Sequence, residues 1–569
     1  MRVFFAVVVA ATIVSSQPHG PAAMSGVVVT ADGVGAPGVE VRATGADGHS
    51  LVASRTAADG RFRFSGVAPG RWLLSATAPG FLPATYGAFA YGQPGVPVRL
   101  EAGASVEGLN IVLERPASAT GRVTDQAGEP VPAVVQAMAA TWTGTREALG
   151  GIGTARTDRE GRYELGGLVP GRYLLLATPL TGGPVVDEPP DVRALALQPA
   201  FYPGVSAPAH AAHVSVRAGD ALAGLDIGLR AEPVASLEVT LTRGDRHPLG
   251  YISLIVLPRD VGDAGMQVDT SPSVRPLQAV RLPAGEYDVI GSALEAEADG
   301  RLARLWVATT VTLDGRTSVK MPLELGTGAR LEGRLVFDGA ASQVEGLPEI
   351  WLWPIEGTRP ESILPFAGTL VLEDGGSFAI SGIAPGQYLL QFGRDAASQV
   401  AGWSVKRVLL RGEDVADLPI DLHEGDLHTG VEVVLSNRPS ELVGTITDAA
   451  GEARFDVTLV AFPVDSRYWW TGTRRIRFAR PDTSGQYLIR GLPEGEYLLA
   501  AVSGALPEGP TDPQWLGGLA GAAVRVLVAD GSRTVQDLRP GTGQGGSGQL
   551  AAPQVRERDE HAGGGHRHE

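Results

Sequence analysis

The decapeptide IAPGQYLLQF at 383–392 returns in altered form as VAPGRWLLSA (67–76), LVPGRYLLLA (168–177), LPAGEYDVIG (282–291) and LPEGEYLLAA (492–501). The copies lie roughly a hundred residues apart, a period that local chemistry does not produce and a repeated structural unit does. Each joins a turn to an alternating strand. Proline presets one turn position, and the glycine after it is predicted to supply the positive φ of a type II turn. The aromatic that follows (Trp72, Tyr173, Tyr287, Tyr388 or Tyr497) falls on the apolar face of the returning strand. The phrase therefore predicts a chain reversal, the central hairpin of a small β-sandwich, whose inward ring fixes the register.

The flanking segments repeat as well. Opening strands with their turns read SGVVVTADGVGAPGVEV (25–41), TGRVTDQAGEPVPAVVQA (120–137), EGRLVFDG (332–339) and VGTITDAAGE (443–452). Closing hairpins are predicted at 98–113, 214–229, 311–325, 421–435 and 526–538. The third copy is the most worn: ASLEVTLTRGDRHPLG (235–250) lacks the opening glycine, and Ala284 stands at the turn proline. The closing strands set boundaries at about 24–114, 115–230, 231–326, 327–436 and 437–540, each the size of a sandwich domain. The fold class is all-β: a tandem array of five small antiparallel β-sandwiches. The glycine-rich tail 541–569 has no apolar pattern and is predicted to be disordered.

Composition fits this and narrows the function. The chain has 569 residues, 44% of them hydrophobic, which is enough for several cores. Its net charge of -16 argues against nucleic acid and against an electrostatic landing on an anionic membrane. There is no cysteine, so disulfides, thiolate nucleophiles and thiolate-bound zinc are excluded. Arg2, the apolar run 3–14 and the small residues Ser15 and Ser16 have the layout of a signal peptide over 1–23, cut after Ser16 or near Ala23. The run is too short to span a bilayer comfortably, and no later stretch is long and apolar enough to anchor the chain. Export to the periplasm, the cell surface or the medium is expected.

The order G-x-V-x-D-x-x-G-x-P, then T-D-x-x-G-x-Y-x-L-x-G-L-x-P-G-x-Y-x-L-x-A, in copy two resembles the carboxypeptidase regulatory-like domain. That family belongs to the transthyretin-like sandwiches and is grouped with the carbohydrate-binding-like fold. Copies one and two match best, four and five through the central phrase, and three in part. The resemblance implies a fold more than a chemistry, since its motif is made of turn and core positions. Such domains accompany some secreted metallocarboxypeptidases, which makes an accessory part of a peptidase system a further reading. No segment here has the length or helical pattern of the catalytic domain. Collagen-adhesin B-type modules, which are similar, often carry a Lys–Asn isopeptide bond. The lysines are Lys320 and Lys406 and the asparagines Asn110 and Asn437, and the Lys406–Asn437 pair lacks the first-strand lysine that bond needs.

Few residues suggest chemistry. HEGDLH (423–428) resembles a zinc helix motif, but its histidines are five apart, not four, and straddle Gly425; a polar turn is expected. His210 and His213 have no third ligand nearby. His561, His566 and His568 form a histidine-rich tail that binds metal only adventitiously. Asp59-Gly60, Asp158 with Gly161, Asp374-Gly375 and Asp482 with Gly485 lack the alternating carboxylates of a calcium loop and read as turns. RGD at 243–245 is too short to carry weight. No catalytic residue, metal ligand or cofactor is assigned.

One motif stands out. TWTGTREALGG (141–151) and YWWTGTRRIRF (468–478) share Trp-Thr-Gly-Thr-Arg at one place in copies two and five, and copy four has WLWPIEGTRPE (351–361). Trp142, Arg146, Trp469, Trp470 and Arg474 are the candidate ligand-binding residues. An exposed ledge of this kind stacks on sugar rings or anchors a cell-surface protein. The opposing expectation, favoured by the burial habit of tryptophan, is that the rings cover a sandwich edge or fill a seam between modules. The functional expectation is an exported, non-catalytic scaffold or adhesion protein, with carbohydrate binding through these loops as the alternative.

Overall fold

The alternating segments become strands. A computed structural model describes residues 22–46, 50–142, 147–180, 195–244, 252–259, 268–269, 277–296, 302–339, 350–354, 369–372, 376–392, 403–507, 509–539 and 554–555. The proposed signal peptide, but for its last two residues, lies outside them. Two compact units are formed: Met1–Ala88 with Gly95–Leu113, and Phe89–Pro94 with Glu114–Glu569. The first unit is one sandwich. Arg61–Val67, Ala22–Thr30 and Ser105–Leu113 make one sheet; Leu51–Arg55, Glu40–Gly45, Gly70–Thr77, Ala84–Thr85 and Val98–Leu100 make the other. Met24, Val28, Val41, Phe64, Trp72, Leu74 and Ile111 fill the space between them. The first strand begins at Ala22, which is 1% exposed, so this sandwich starts before residue 24.

The second unit repeats the plan with separate cores around Tyr173, Tyr287, Tyr388 and Tyr497. Their opening strands are Ala117–Thr124, Ala231–Thr242, Ala329–Asp338 and Glu441–Thr445. Joints within this unit are specific. Leu195–Leu197 of module 2 pairs with the start of module 3's opening strand. Trp306 of module 3 is 3% exposed and donates its indole N–H to Gly382 O of module 4 at 2.7 Å. Of the tail 541–569, Gln554–Val555 pairs antiparallel with Arg533–Val535, and the rest lies outside the described residues.

Two sequence expectations about connectivity are corrected. The closing segments are not hairpins: Val98–Leu100 pairs with Gly70–Thr77 in one sheet, while Ser105–Leu113 runs parallel to Ala22–Thr30 in the other. The same parallel pairing of opening and closing strands recurs in modules 2 to 5, within sheets otherwise mainly antiparallel. The repeated phrase is not a hairpin either. Arg61–Val67 and Gly70–Thr77 lie in opposite sheets, so the Pro-Gly link is a crossover between layers. Alternation reports which face of a strand is buried, and that face is the same whether the next strand joins its own sheet or the opposite one.

The glycines move accordingly. The φ of about 70–75° sits on Gly66, Gly167, Gly382 and Gly491, before the turn, and the first three mark register shifts where the strand bulges out of its ladder. Gly70, Gly386 and Gly495 have φ of 154°, 151° and 152°, outside the type II value.

The recurring aromatic clasps this crossover. Trp72 Nε1 donates to Ala68 O at 3.0 Å, and the hydroxyls of Tyr173, Tyr287, Tyr388 and Tyr497 donate to the carbonyls of Val169, Pro283, Ala384 and Pro493 at 2.7, 3.1, 2.8 and 2.6 Å. In each case the acceptor lies four residues upstream. The ring fills the core while its polar end satisfies a carbonyl at the crossover, where the chain leaves one sheet for the other. Tyr173→Phe is expected to cost module 2 about 1–2 kcal/mol, read as faster amide exchange in peptides from 162–179.

The opening glycine has a different cause. A Cβ on Gly26, Gly121, Gly333 or Gly444 would sit 2.0, 2.2, 2.3 or 1.8 Å from a backbone carbonyl oxygen of the closing strand. The residues opposite in the ladder are Phe62, Tyr163, Phe378 and Tyr487. In two modules the tyrosine hydroxyl also bonds that same carbonyl: Tyr163 to Leu225 O at 2.6 Å, and Tyr487 to Gln536 O. Module 3 lacks the glycine; its parallel ladder pairs Leu237–Thr242 with Val319–Glu324 without a register shift.

Candidate functional site

The Trp-Thr-Gly-Thr-Arg loop of module 5 grows from the end of Val457–Pro463, a strand buried along its whole length. The Asp465 carboxylate caps the short 3-10 turn Ser466–Tyr468 by accepting from Arg467 N at 3.0 Å. Trp469 follows. Its ring meets Phe462 edge to face at 5.6 Å, and its Nε1 donates to Pro463 O at 2.8 Å. It joins Trp515 and Leu516 of helix Pro513–Ala520 in a second apolar layer on the outside of the sheet. Trp470 turns the other way. It is 6% exposed, and its Nε1 donates to Asp417 O of module 4 at 3.2 Å.

Asp417 is the centre of the arrangement. It is 2% exposed and meets two guanidinium groups from module 5. Arg474 grips it with Nη2 to Oδ2 at 2.9 Å and Nε to Oδ1 at 3.1 Å, and its backbone N–H donates to Oδ1 at 3.2 Å. Arg474 Nη1 also donates to Val405 O. Arg475 Nε reaches Oδ2 at 3.2 Å, its Nη1 donates to Glu494 O at 3.0 Å, and its cation lies 4.5 Å from the Tyr468 ring centre. Burial alone would raise the Asp417 carboxyl; the paired arginines overcome it and hold the group below the ordinary aspartate range. A depressed carboxylate contributes stability above the unfolded-state value and loses it only as pH falls through the lowered one. The joint is therefore expected to persist through mild acid, which exchange at the Arg474 amide between pH 7 and pH 4 checks.

Beside it, Lys406 pairs with Asp338 at 2.6 Å and with Asp530 of module 5, and Arg438 pairs with Asp338 at 2.8 Å. A polar cleft of about 190 Å³ opens here, lined by Lys406, Arg438, Arg475, Glu494 and Asp530 among others. The Lys406 ammonium is engaged by two carboxylates.

The candidate residues thus separate. Trp470 and Arg474 form no exposed ledge: the ring is buried and the guanidinium is committed to Asp417, both filling a seam. Trp469 covers the sheet and has its indole N–H satisfied. Trp142 ends strand Ala133–Trp142 opposite Glu147, but its side chain and all of Arg146 lie outside the described residues. Trp351 and Trp353 lie in strand Ile350–Pro354, their side chains likewise undescribed. Sequence reasoning missed Asp417; a lone aspartate in VADLP carries no signal until its partner is in place.

Of the other motifs, Asp374-Gly375, Asp245 of RGD and the tail histidines His561, His566 and His568 lie outside the described residues. His423 Nδ1, in the link before the closing strand, and His428 Nε2, buried near the start of that strand, both lie near Asp426 Oδ2, at 3.2 and 3.5 Å. Asp158 Oδ1 accepts from the amides of Glu160 and Arg162 at 2.9 and 2.8 Å, and Asp482 Oδ1 from those of Ser484 and Gln486 at 3.0 and 3.1 Å. Among the described residues no group of three or more His, Asp or Glu is placed to hold a metal. Within the second unit, Gln93 exchanges two hydrogen bonds with the Leu506 backbone, at 2.9 and 3.0 Å, and Arg480 lies 3.8 Å over the Phe89 ring.

Residues 23–114 match the carboxypeptidase regulatory-like domain. The regulatory-like domain accounts for the first unit's sandwich. Modules 2, 4 and 5 repeat its opening glycine, and modules 2 to 5 repeat its clasped crossover. No curated protein matches the chain. Among solved structures it is similar to the Bacillus anthracis TIE protein (12% identity, covering 69% of this chain and 66% of that one, TM-score 0.14). It is also similar to BcpA, the major pilin subunit of Bacillus cereus (12%, 54% and 99%, TM-score 0.15), and to a streptococcal ancillary pilin (13%, 53% and 98%, TM-score 0.17). Superpositions at these scores carry no argument about role. Among the described residues no helix is long and apolar enough to cross a membrane.

Proposed function

We propose that the chain is an exported, non-catalytic scaffold or adhesion protein of the cell surface or periplasm. The observation that supports this most is the use of its most chemistry-rich loop. In module 5 the tryptophans and arginines hold a neighbouring module and sheet instead of facing a substrate. The test is incubation of the purified chain with peptide and glycoside substrates and with a glycan array. Turnover would end the non-catalytic reading.

Carbohydrate binding stays as a second proposal for module 2 alone. There the motif joins two paired ten-residue strands, Ala133–Trp142 and Glu147–Arg156, and its residues 143–146 lie outside the described residues. Array binding that disappears in Trp142→Ala would favour it. Export has its own check. Ala22 is buried in the first sandwich, so the mature N-terminus is expected upstream of it, near Ser16, by sequencing of secreted protein. A cut after Ala23 would remove a core residue.

A further inference from the structure

Modules 4 and 5 have separate cores, yet the seam between them encloses one carboxylate, two guanidinium groups and an indole. We propose that Asp417 is a latch that makes these two modules move as one rigid body. The link 437–440 between Leu427–Ser436 and Glu441–Thr445 is short and already tied at both ends, by Arg438 to Asp338 at 2.8 Å and by the Ser440 hydroxyl to Leu492 O at 2.6 Å. The seam fixes the orientation that such a link leaves open. Arg474 contributes both a guanidinium and a backbone N–H to Asp417, so it fixes orientation as well as distance. Arg475 is 8% exposed and is held from behind by Glu494 O, so its charge cannot swing into water while the seam is closed. Trp470, beside them, excludes solvent and donates to the backbone of the residue its neighbours grip. A second tie, Lys406 with Asp530, crosses the same seam.

Removing the carboxylate leaves Arg474 with no ion-pair partner and Arg475 with only the longer contact to Asp414 at 3.7 Å, two largely buried cations side by side, which favours an open joint. Loss of Asp417 therefore releases module 5 from module 4 while both cores stay folded. The inference is independent of what the chain binds, so it stands or falls apart from any glycan or turnover result.

The chain has no cysteine, which allows clean paired labelling. Spin labels at Thr429→Cys and Gln514→Cys, both exposed positions on the two modules, report their separation in the full-length protein. A single narrow distance distribution is expected, becoming broad in Asp417→Ala. Exchange at the Arg474 amide, which donates directly to Asp417, should accelerate on the order of 100-fold, while core amides of Gly386–Phe392 and Gly495–Ser503 keep their protection. Arg474→Gln, a milder change at a half-buried position, should broaden the distribution in the same direction. A broad distribution in the parent, or a narrow one in both variants, overturns the latch. So does loss of protection in either core without separation of the labels.

Discussion

Gly26→Ala is expected to unfold the first sandwich and leave the modules of the second unit folded. The added methyl would lie 2.0 Å from the Leu109 carbonyl oxygen and 2.6 Å from its carbon, and neither is the end of a flexible side chain. Both strands are pinned on either side of the contact by the parallel ladder, Ala23 and Met24 with Ser105 and Val106 before it, Val27 to Thr30 with Asn110 to Leu113 after it. Relief requires breaking that ladder. The cost should reach about 4 kcal/mol or more, most of what a domain of this size has. Hydrogen exchange on the full chain reads the result: peptides across 22–113 lose protection, and those across 329–436 do not. Gly108→Ala supplies the control. It has φ 77° but open space around it, so it should cost only about 1–2 kcal/mol. Equal effects from the two substitutions would mean that the close approach is not what requires the glycine.

Tyr388→Ala should destabilise module 4 by about 3–5 kcal/mol. The ring is fully buried at the centre of its core, among Leu331, Ile380, Leu390 and Ile420. Its hydroxyl holds Ala384 O at 2.8 Å, so truncation opens a cavity and orphans a buried carbonyl together. Tyr388→Phe separates the two effects: it keeps the packing, loses the clasp, and should cost about 1–2 kcal/mol. Urea midpoints followed by exchange in peptides from 377–392 measure both. A phenylalanine variant as stable as the parent would reduce the ring's role to filling space.

The repeat, the all-β class and the inward aromatics were legible because periodicity records burial directly. Trp72, Tyr173, Tyr287, Tyr388 and Tyr497 are all buried, as alternation required. Sheet membership was not legible. Val98 and Val106 have the same inward pattern in a hairpin as in a crossover, so the closing segments were read as hairpins and the parallel strand was missed. The opening glycine was visible as a pattern but not as a cause, since the carbonyl it accommodates is some eighty to a hundred residues away in sequence. The candidate site was legible only as a motif. Trp-Thr-Gly-Thr-Arg occurs in modules 2 and 5, but what it does in module 5 is set by Asp417, a residue of another module that nothing in the local sequence marks.

The central claim is that each repeat is an arch between two sheets, closed by a last strand lying parallel to its first. Cysteine pairing in this cysteine-free chain tests it most directly. Val28 and Ile111 are partners in the parallel ladder and both face the core, so Val28→Cys with Ile111→Cys should form a disulfide under mild oxidation. Val98→Cys with Glu107→Cys, which a closing hairpin would bring together, should stay reduced. Cross-linking of the second pair and not the first would contradict the arch.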